Sequence, residues 1–206
     1  MAALLGHVGA VHRWVVLILE TKAAVRPGRP APPDGVDDRL AWYQEGLDRL
    51  VACLDAADPE EAVWNWFQQG PGPARFWSRR MAHETAMHRW DGQAAAGRPE
   101  PIEADLAADG IDEYLMFVRS WLARRPVPGL EGSLHLHATD GDGEWAVDLT
   151  AEGLQWRREH AKGDAAVRGP VSDLLLWMLN RVSADAPGLE VFGDRGFVDR
   201  WRELRF

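Results

Sequence analysis

Arg79-Arg80-Met81-Ala82-His83-Glu84-Thr85-Ala86-Met87-His88-Arg89-Trp90-Asp91 is a run without glycine or proline, and it reads as helix. Glu84 and His88 stand four apart, so both side chains leave one face, a turn from each other. A carboxylate oxygen and an imidazole nitrogen at that spacing can grip one divalent metal. The HExxH helix uses the same geometry with two histidines. One further ligand would complete three protein ligands with an open coordination position, the pattern of a catalytic rather than a closed structural zinc site. Arg80, four residues before Glu84, supports a competing reading: an ordinary ion pair, with His88 as a satisfied bundle histidine.

Outward from this run, the first half of the chain reads as helices. Residues 1–21 carry Leu4, Val8, Val11, Val15 and Leu19 near helical period, and Arg26 to Pro33 is a Pro- and Gly-rich loop. Residues 37–56 form a second helix with Leu40, Tyr43, Leu47, Leu50 and Leu54 as its stripe. Asp58-Pro59-Glu60-Glu61 has the form of a helix start, soon cut by Gly70-Pro71-Gly72-Pro73. Helices over 74–96 and 103–123 follow, the last with Leu106, Gly110, Tyr114, Phe117 and Trp121 on one side. Four helices of this length suggest a four-helix bundle.

The pattern changes at Pro126-Val127-Pro128-Gly129, which reads as a domain boundary. Residues 133–138 and 144–150 alternate around Asp140-Gly141-Asp142-Gly143, a β-hairpin pattern with Trp145, Val147 and Leu149 on one face. Strands at 154–158, 165–168 and 189–192, and helices at 170–181 and 197–205, complete a small α+β domain. The expected fold is therefore α+β, with a helical bundle over 1–125 and an α+β domain over 130–206.

The chain has 206 residues and a net charge of −9, which argues against general nucleic-acid binding. Val15 to Leu19 is too short a run to span a membrane, and no basic segment precedes it. Cys53 is the only cysteine, which excludes an intrachain disulfide and thiolate metal cages and fits a cytoplasmic location. Its apolar neighbours Leu50, Val51 and Leu54 mark a packing thiol. Most of the eleven tryptophans are expected in the core, the excess mildly favouring a ligand cavity.

The third ligand must come from the other histidines. His83 points about 100° away from Glu84. His135 and His137 share one strand face; they can chelate, or simply be exposed positions opposite a buried face. His160 lies in a polar turn. His7 and His12, five apart, point about 140° away from each other and cannot serve one site. His7 is flanked by Gly6 and Gly9, which permit close helix approach, and is the favoured ligand.

The segments His7-Val8-Gly9-Ala10-Val11-His12-Arg13-Trp14 and Arg80 to Asp91 resemble the mycothiol-dependent maleylpyruvate isomerase family, as does Ala107-Ala108-Asp109-Gly110-Ile111-Asp112-Glu113. The resemblance covers nearly the whole chain. It implies a DinB-like four-helix bundle followed by a domain similar to sterol carrier proteins. It also implies a zinc ion on His7, Glu84 and His88, and mycothiol as thiol cosubstrate. Family members carry a further segment with a Cys-Pro-Gly-Trp-like motif before the first histidine, whereas Met1 here stands six residues ahead of His7. That leaves the N-terminal side of the pocket as the point of departure.

In that family the thiolate adds to a cis double bond, rotation follows, and elimination gives the trans isomer. Substrate carboxylates then need cations. Arg80 is the candidate on the ligand helix. The resemblance implies another arginine from the C-terminal domain, with Arg168, Arg181 and Arg195 as options and Arg195 first. Asp91 can orient the His88 ring. Three readings result: a thiol-dependent isomerase or S-transferase acting on a small electrophilic or unsaturated acid, a zinc-dependent hydrolase using the same site, or a non-catalytic small-ligand-binding protein.

Overall fold

The computed structural model describes residues 1–67, 70–125, 127 and 129–204, with the backbone alone at 36 and 37. Two compact units divide the chain, Met1–Glu100 and Pro101–Phe206. The first holds α1 (Ala2–Glu20), α2 (Val36–Ala56), a short hairpin of β1 (Ala62–Val63) and β2 (Gly72–Pro73), and α3 (Arg75–Ala95). The second holds α4 (Ala104–Leu122), β3 (Gly132–Ala138), β4 (Glu144–Thr150), β5 (Gly153–Arg157), β6 (Ala165–Gly169), α5 (Val171–Met178), β7 (Glu190–Gly193) and α6 (Arg195–Arg200). A helical first half and an α+β second half are as the sequence implies.

In the first unit, α1 and α2 approach most closely where glycine removes a side chain. A Cβ on Gly9 would stand 2.8 Å from the Trp42 ring. Arg13 then reaches across to the Trp42 carbonyl at 2.5 Å and to Glu45 at 2.7 Å. The apolar face of α1 buries Val11, Trp14, Val15 and Ile18 against Trp77, Met81, Val63 and Leu50. Trp14, Trp64, Trp66, Trp77 and Phe76 meet edge-on or tilted, at centroid distances of 5.0 to 6.1 Å. Over its 19 residues α1 is apolar enough by length and composition to cross a bilayer, which the Val15–Leu19 run alone did not suggest; 11 of those residues are buried within the fold. Cys53 packs partly buried at the edge of this core, and burial pushes its thiol up, as suits a packing residue.

The helix start expected at Asp58 does not propagate. Asp58 closes a turn, its carboxylate accepting from the Glu60 amide and its carbonyl from the Glu61 amide. The chain then runs extended, because Val63 is buried and the Trp64 backbone donates to Ala23 and accepts from Trp77 Nε1. Burial of aromatic area outweighs one local capping preference.

In the second unit the sheet order is β5-β4-β3-β6-β7, with β3 and β6 parallel and the other neighbours antiparallel. Leu134, Leu136, Trp145, Val147, Ala165 and Val167 are buried on one face of it. The sequence reading assigned the helix at 103–123 to the first domain and the boundary to 126–129, of which 126 and 128 lie outside the described residues. In the structure α4 divides with the second unit, and its partners explain why. Asp112 accepts from Trp145 Nε1 at 2.9 Å and from Arg158 at 2.7 Å, and Tyr114 donates to the Leu204 carbonyl. The buried side is Ala107, Ile111, Tyr114, Leu115 and Val118, about one residue round from the stripe read in the sequence. The last helix is shorter than expected: α6 gives way to a 3-10 turn at Trp201–Glu203, and 205 lies outside the described residues.

Two stability predictions follow from the first unit. Gly9→Val should lower stability by about 1–3 kcal/mol through overpacking. Gly92→Ala, whose Cβ meets only Leu4 at 3.6 Å, should be neutral or gain up to about 1 kcal/mol; urea unfolding of both variants checks the contrast. His12 is buried on Tyr43, with neither ring nitrogen hydrogen-bonded among the described residues. Burial pushes its imidazole down to about 4, against the pull of Glu84 and with the repulsion of Arg13. Between pH 6.5 and 4 the unfolded chain takes up a proton that the native chain does not. The His12 contribution to stability is therefore full above 6.5 and falls by up to about 3 kcal/mol as pH drops to 4. His12→Leu should flatten that part of the stability–pH curve.

Candidate metal centre

Helix α3 carries Glu84 and His88 because its residues 75–95 contain no proline and keep one apolar side, Trp77, Met81 and Met87, in the core. That side fixes the rotation of the helix and turns Glu84 and His88 toward α1. His7 comes from α1, two residues before the Gly9 contact. His7 Nε2 lies 3.2 Å from Glu84 Oε1, and His88 Nε2 lies 3.3 Å from the same oxygen. The two imidazoles meet edge to face at 4.9 Å. One donor atom from each of the three residues lies within 4.8 Å of the others. His7, Glu84 and His88 are thus brought together, while His12 turns to Tyr43 and His83 is buried elsewhere on α3.

Glu84 is the pivot. Its side chain is only 11 % exposed, and its second oxygen takes an ion pair from Arg80. Burial pushes the carboxyl up, but hydrogen bonds from His7 and His88 and the charge of Arg80 outweigh it and hold the group well below the usual carboxylate range. Glu84 is therefore an anion at any neutral pH. Arg80 forms the ion pair that the sequence allowed, but in a partly buried setting rather than on the surface.

His88 Nδ1 lies 2.9 Å from Asp91 Oδ2. Burial pushes the His88 imidazole down, yet its hydrogen bonds to Asp91 and Glu84 prevail and lift it to about 9. A proton on Nδ1, facing Asp91, leaves Nε2 as the nitrogen turned to Glu84 and His7. In the chain without metal Nε2 is protonated as well, and it must lose that proton before it can serve as a ligand.

A cleft of about 730 Å³ opens beside His88. Leu4, Leu5 and Val8 of α1 form one wall, and Thr85, His88, Arg89 and Gly92 of α3 form the other, with Tyr43 of α2 between. Both walls are stripes at helical spacing, so the signal was present in the sequence. Thr85, Arg89 and Tyr43 were missed as cleft residues because nothing in the sequence says that the two stripes face each other.

The cations expected from the C-terminal half all have partners within the second unit. Arg195 pairs with Asp185 and Asp199, each at 2.8 Å, Arg168 pairs with Glu190 at 2.8 Å, and Arg181 donates to the Leu179 carbonyl.

No curated protein matches the sequence. Among solved structures the chain is similar to sterol carrier protein domain 2 of Helicoverpa armigera, at 10% identity over 47% of this chain and 91% of that one, with a TM-score of 0.39. It is also similar to a UbiJ-SCP2 ubiquinone synthesis protein, at 18% identity over 48% and 88%, with a TM-score of 0.36. A third is sterol carrier protein 2 like 2 of Aedes aegypti, at 17% identity over 47% and 97%, with a TM-score of 0.35. Residues 1–93 match the family described as Mycothiol maleylpyruvate isomerase N-terminal domain, and residues 105–200 match the MDMPI C-terminal domain. The two matches follow each other in chain order, and the first spans all three converging donors. The chain belongs to the mycothiol-dependent maleylpyruvate isomerase family.

Proposed function

We propose that the protein is a metal-dependent isomerase or S-transferase that uses a low-molecular-weight thiol, mycothiol in this family, on a small unsaturated or electrophilic acid. The observation that carries the reading is the convergence of His7 Nε2, Glu84 and His88 Nε2, of which His88 lines the cleft. Two imidazoles and one carboxylate suit zinc, and three protein ligands leave a coordination position open. Held by His7, Glu84 and His88, such an ion would supply Lewis-acid chemistry that favours the thiolate form of the cosubstrate.

The chain's own groups do the rest. Asp91 accepts the His88 Nδ1 proton, which fixes the ring and directs Nε2 inward. Arg80 holds one Glu84 oxygen and so turns the other toward both imidazoles. Leu4, Leu5 and Val8 keep one wall of the cleft apolar and limit water around a reacting double bond. Arg89 brings a guanidinium to the opposite wall, one residue beyond His88 and 3.9 Å from Glu100, where a substrate carboxylate would compete with Glu100 for it. Arg80, committed to Glu84, acts as a positioning residue. A cytoplasmic setting, where low-molecular-weight thiols are kept reduced, suits this chemistry.

Glu84→Gln and His88→Ala should each remove one equivalent of zinc per chain, read by elemental mass spectrometry. Asp91→Asn should keep the site but weaken zinc binding about 10–100-fold. With zinc bound, added thiol should switch on cis–trans isomerisation of an unsaturated diacid, or conjugation to an electrophile, and Glu84→Gln should abolish it. Turnover of an ester or amide without thiol would instead establish the hydrolase. Loss of no zinc in either variant would end the metal reading.

A further inference from the structure

The second unit contains a histidine–glutamate cluster apart from the site described above. His135 and His137, two apart on β3, project from the sheet face opposite Leu134 and Leu136. In the antiparallel register Glu144 of β4 stands directly across from His137, and the small Ala146 stands across from His135. Past the end of β5 the chain returns over this face and brings His160 to it, 4.8 Å from His135 between ring centroids. Glu144 sits in the middle. Its Oε1 lies 2.9 Å from His137 Nδ1, and its Oε2 lies 2.7 Å from His160 Nδ1 and 3.3 Å from His135 Nε2. Four donor atoms, one from each residue, all lie within 4.8 Å of one another.

We infer that His135, His137, Glu144 and His160 form a second metal site, one that takes zinc in a closed tetrahedral shell of three imidazole nitrogens and one carboxylate oxygen. Ligand atoms on a tetrahedral zinc stand about 3.3 Å apart, so the shell needs only small side-chain adjustments from the observed spacings. Without metal, one carboxylate faces three imidazole nitrogens at once. A cation replaces those contacts with direct bonds. The nearby guanidiniums do not compete for Glu144. Arg158 is held by Asp112 and lies over the Trp145 ring at 4.3 Å, and Arg168 pairs with Glu190. Four protein ligands leave no open position, so the site is structural. It pins the segment that carries His160 to the sheet, closing the polar hollow of about 350 Å³ lined by His137, Glu144, Arg158 and His160.

The test uses the full chain with His7→Ala and His88→Ala, so that the first site cannot contribute and its fate does not bear on the result. Titration with Co²⁺ alone should give one equivalent with the intense visible absorption of tetrahedral cobalt, displaced by zinc. Adding Glu144→Gln or His160→Ala should weaken binding about 100-fold or more. His160, at 75 % side-chain exposure, can be removed without opening the core. Circular dichroism should then show an unchanged fold, with the zinc-dependent rise in melting temperature gone. A folded double variant that binds no cobalt or zinc would overturn the site, as would binding that survives both Glu144→Gln and His160→Ala.

Discussion

Burial of the Glu84 carboxylate is the constraint on which the first unit turns. An ionised group in that position is costly unless every lone pair finds a partner. Here one oxygen is held by Arg80 from the preceding turn, and the other lies between an imidazole of the same helix and one from α1. The local pair, Arg80 and Glu84, would form in any helix. The contact with His7 would not, because it requires α1 to lie against α3 at a fixed rotation. That rotation is set away from the site, by Trp14, Trp77 and Met81 packed with Val63 on the apolar side. The tryptophan cluster thus serves the polar centre indirectly: it packs the same stripes of the two helices, Val11, Trp14 and Ile18 on α1 and Trp77 and Met81 on α3, that carry His7, Glu84 and His88 further along.

This division explains what the sequence could reveal. Glu84 and His88 were legible because helical spacing alone puts them together, and His7 followed from its glycine neighbours and from the family pattern around it. The hairpin, the strands of the second unit and the four long helices were legible from period and punctuation. Segment 58–67 was misread because its cap residues are favourable locally, while the aromatic residues after them gain more by running extended over Trp77. The grouping of α4 with the second unit was not legible for a different reason. An amphipathic stripe declares that a face is buried but not against what, and the partners of α4, Trp145, Arg158 and Leu204, lie 33, 46 and 90 residues from the α4 groups that bind them.

The histidines of the second half show the same limit more sharply. His135 and His137 on one strand face were visible as a pair, and the exposed-position reading suited them as an isolated strand. Glu144 enters only through the cross-strand register, and His160 only through the return of the chain after β5. Neither is implied by alternation, and the polar surroundings of His160 suggested solvent. His135 is nevertheless buried, because Glu144 and His160 cover it. A cluster assembled from three separate segments has no signature in any one of them.

The two carboxylate-centred clusters differ in a way that would suit them to different work if each held a metal. In the first, two imidazoles meet Glu84 and a guanidinium holds its far oxygen, so a metal there gains three ligands and faces a cleft with one apolar wall. In the second, three imidazoles surround Glu144 with no guanidinium on it, so a metal there gains four and faces only a small polar hollow. Counting donors therefore separates them before any assay does: an incomplete shell beside a cavity suits exchange of a thiol, and a complete shell over a sheet suits holding a chain segment in place. The same residue types, histidine and glutamate, serve both, because what distinguishes a catalytic from a structural centre is the number of groups the fold brings within reach, not their identity.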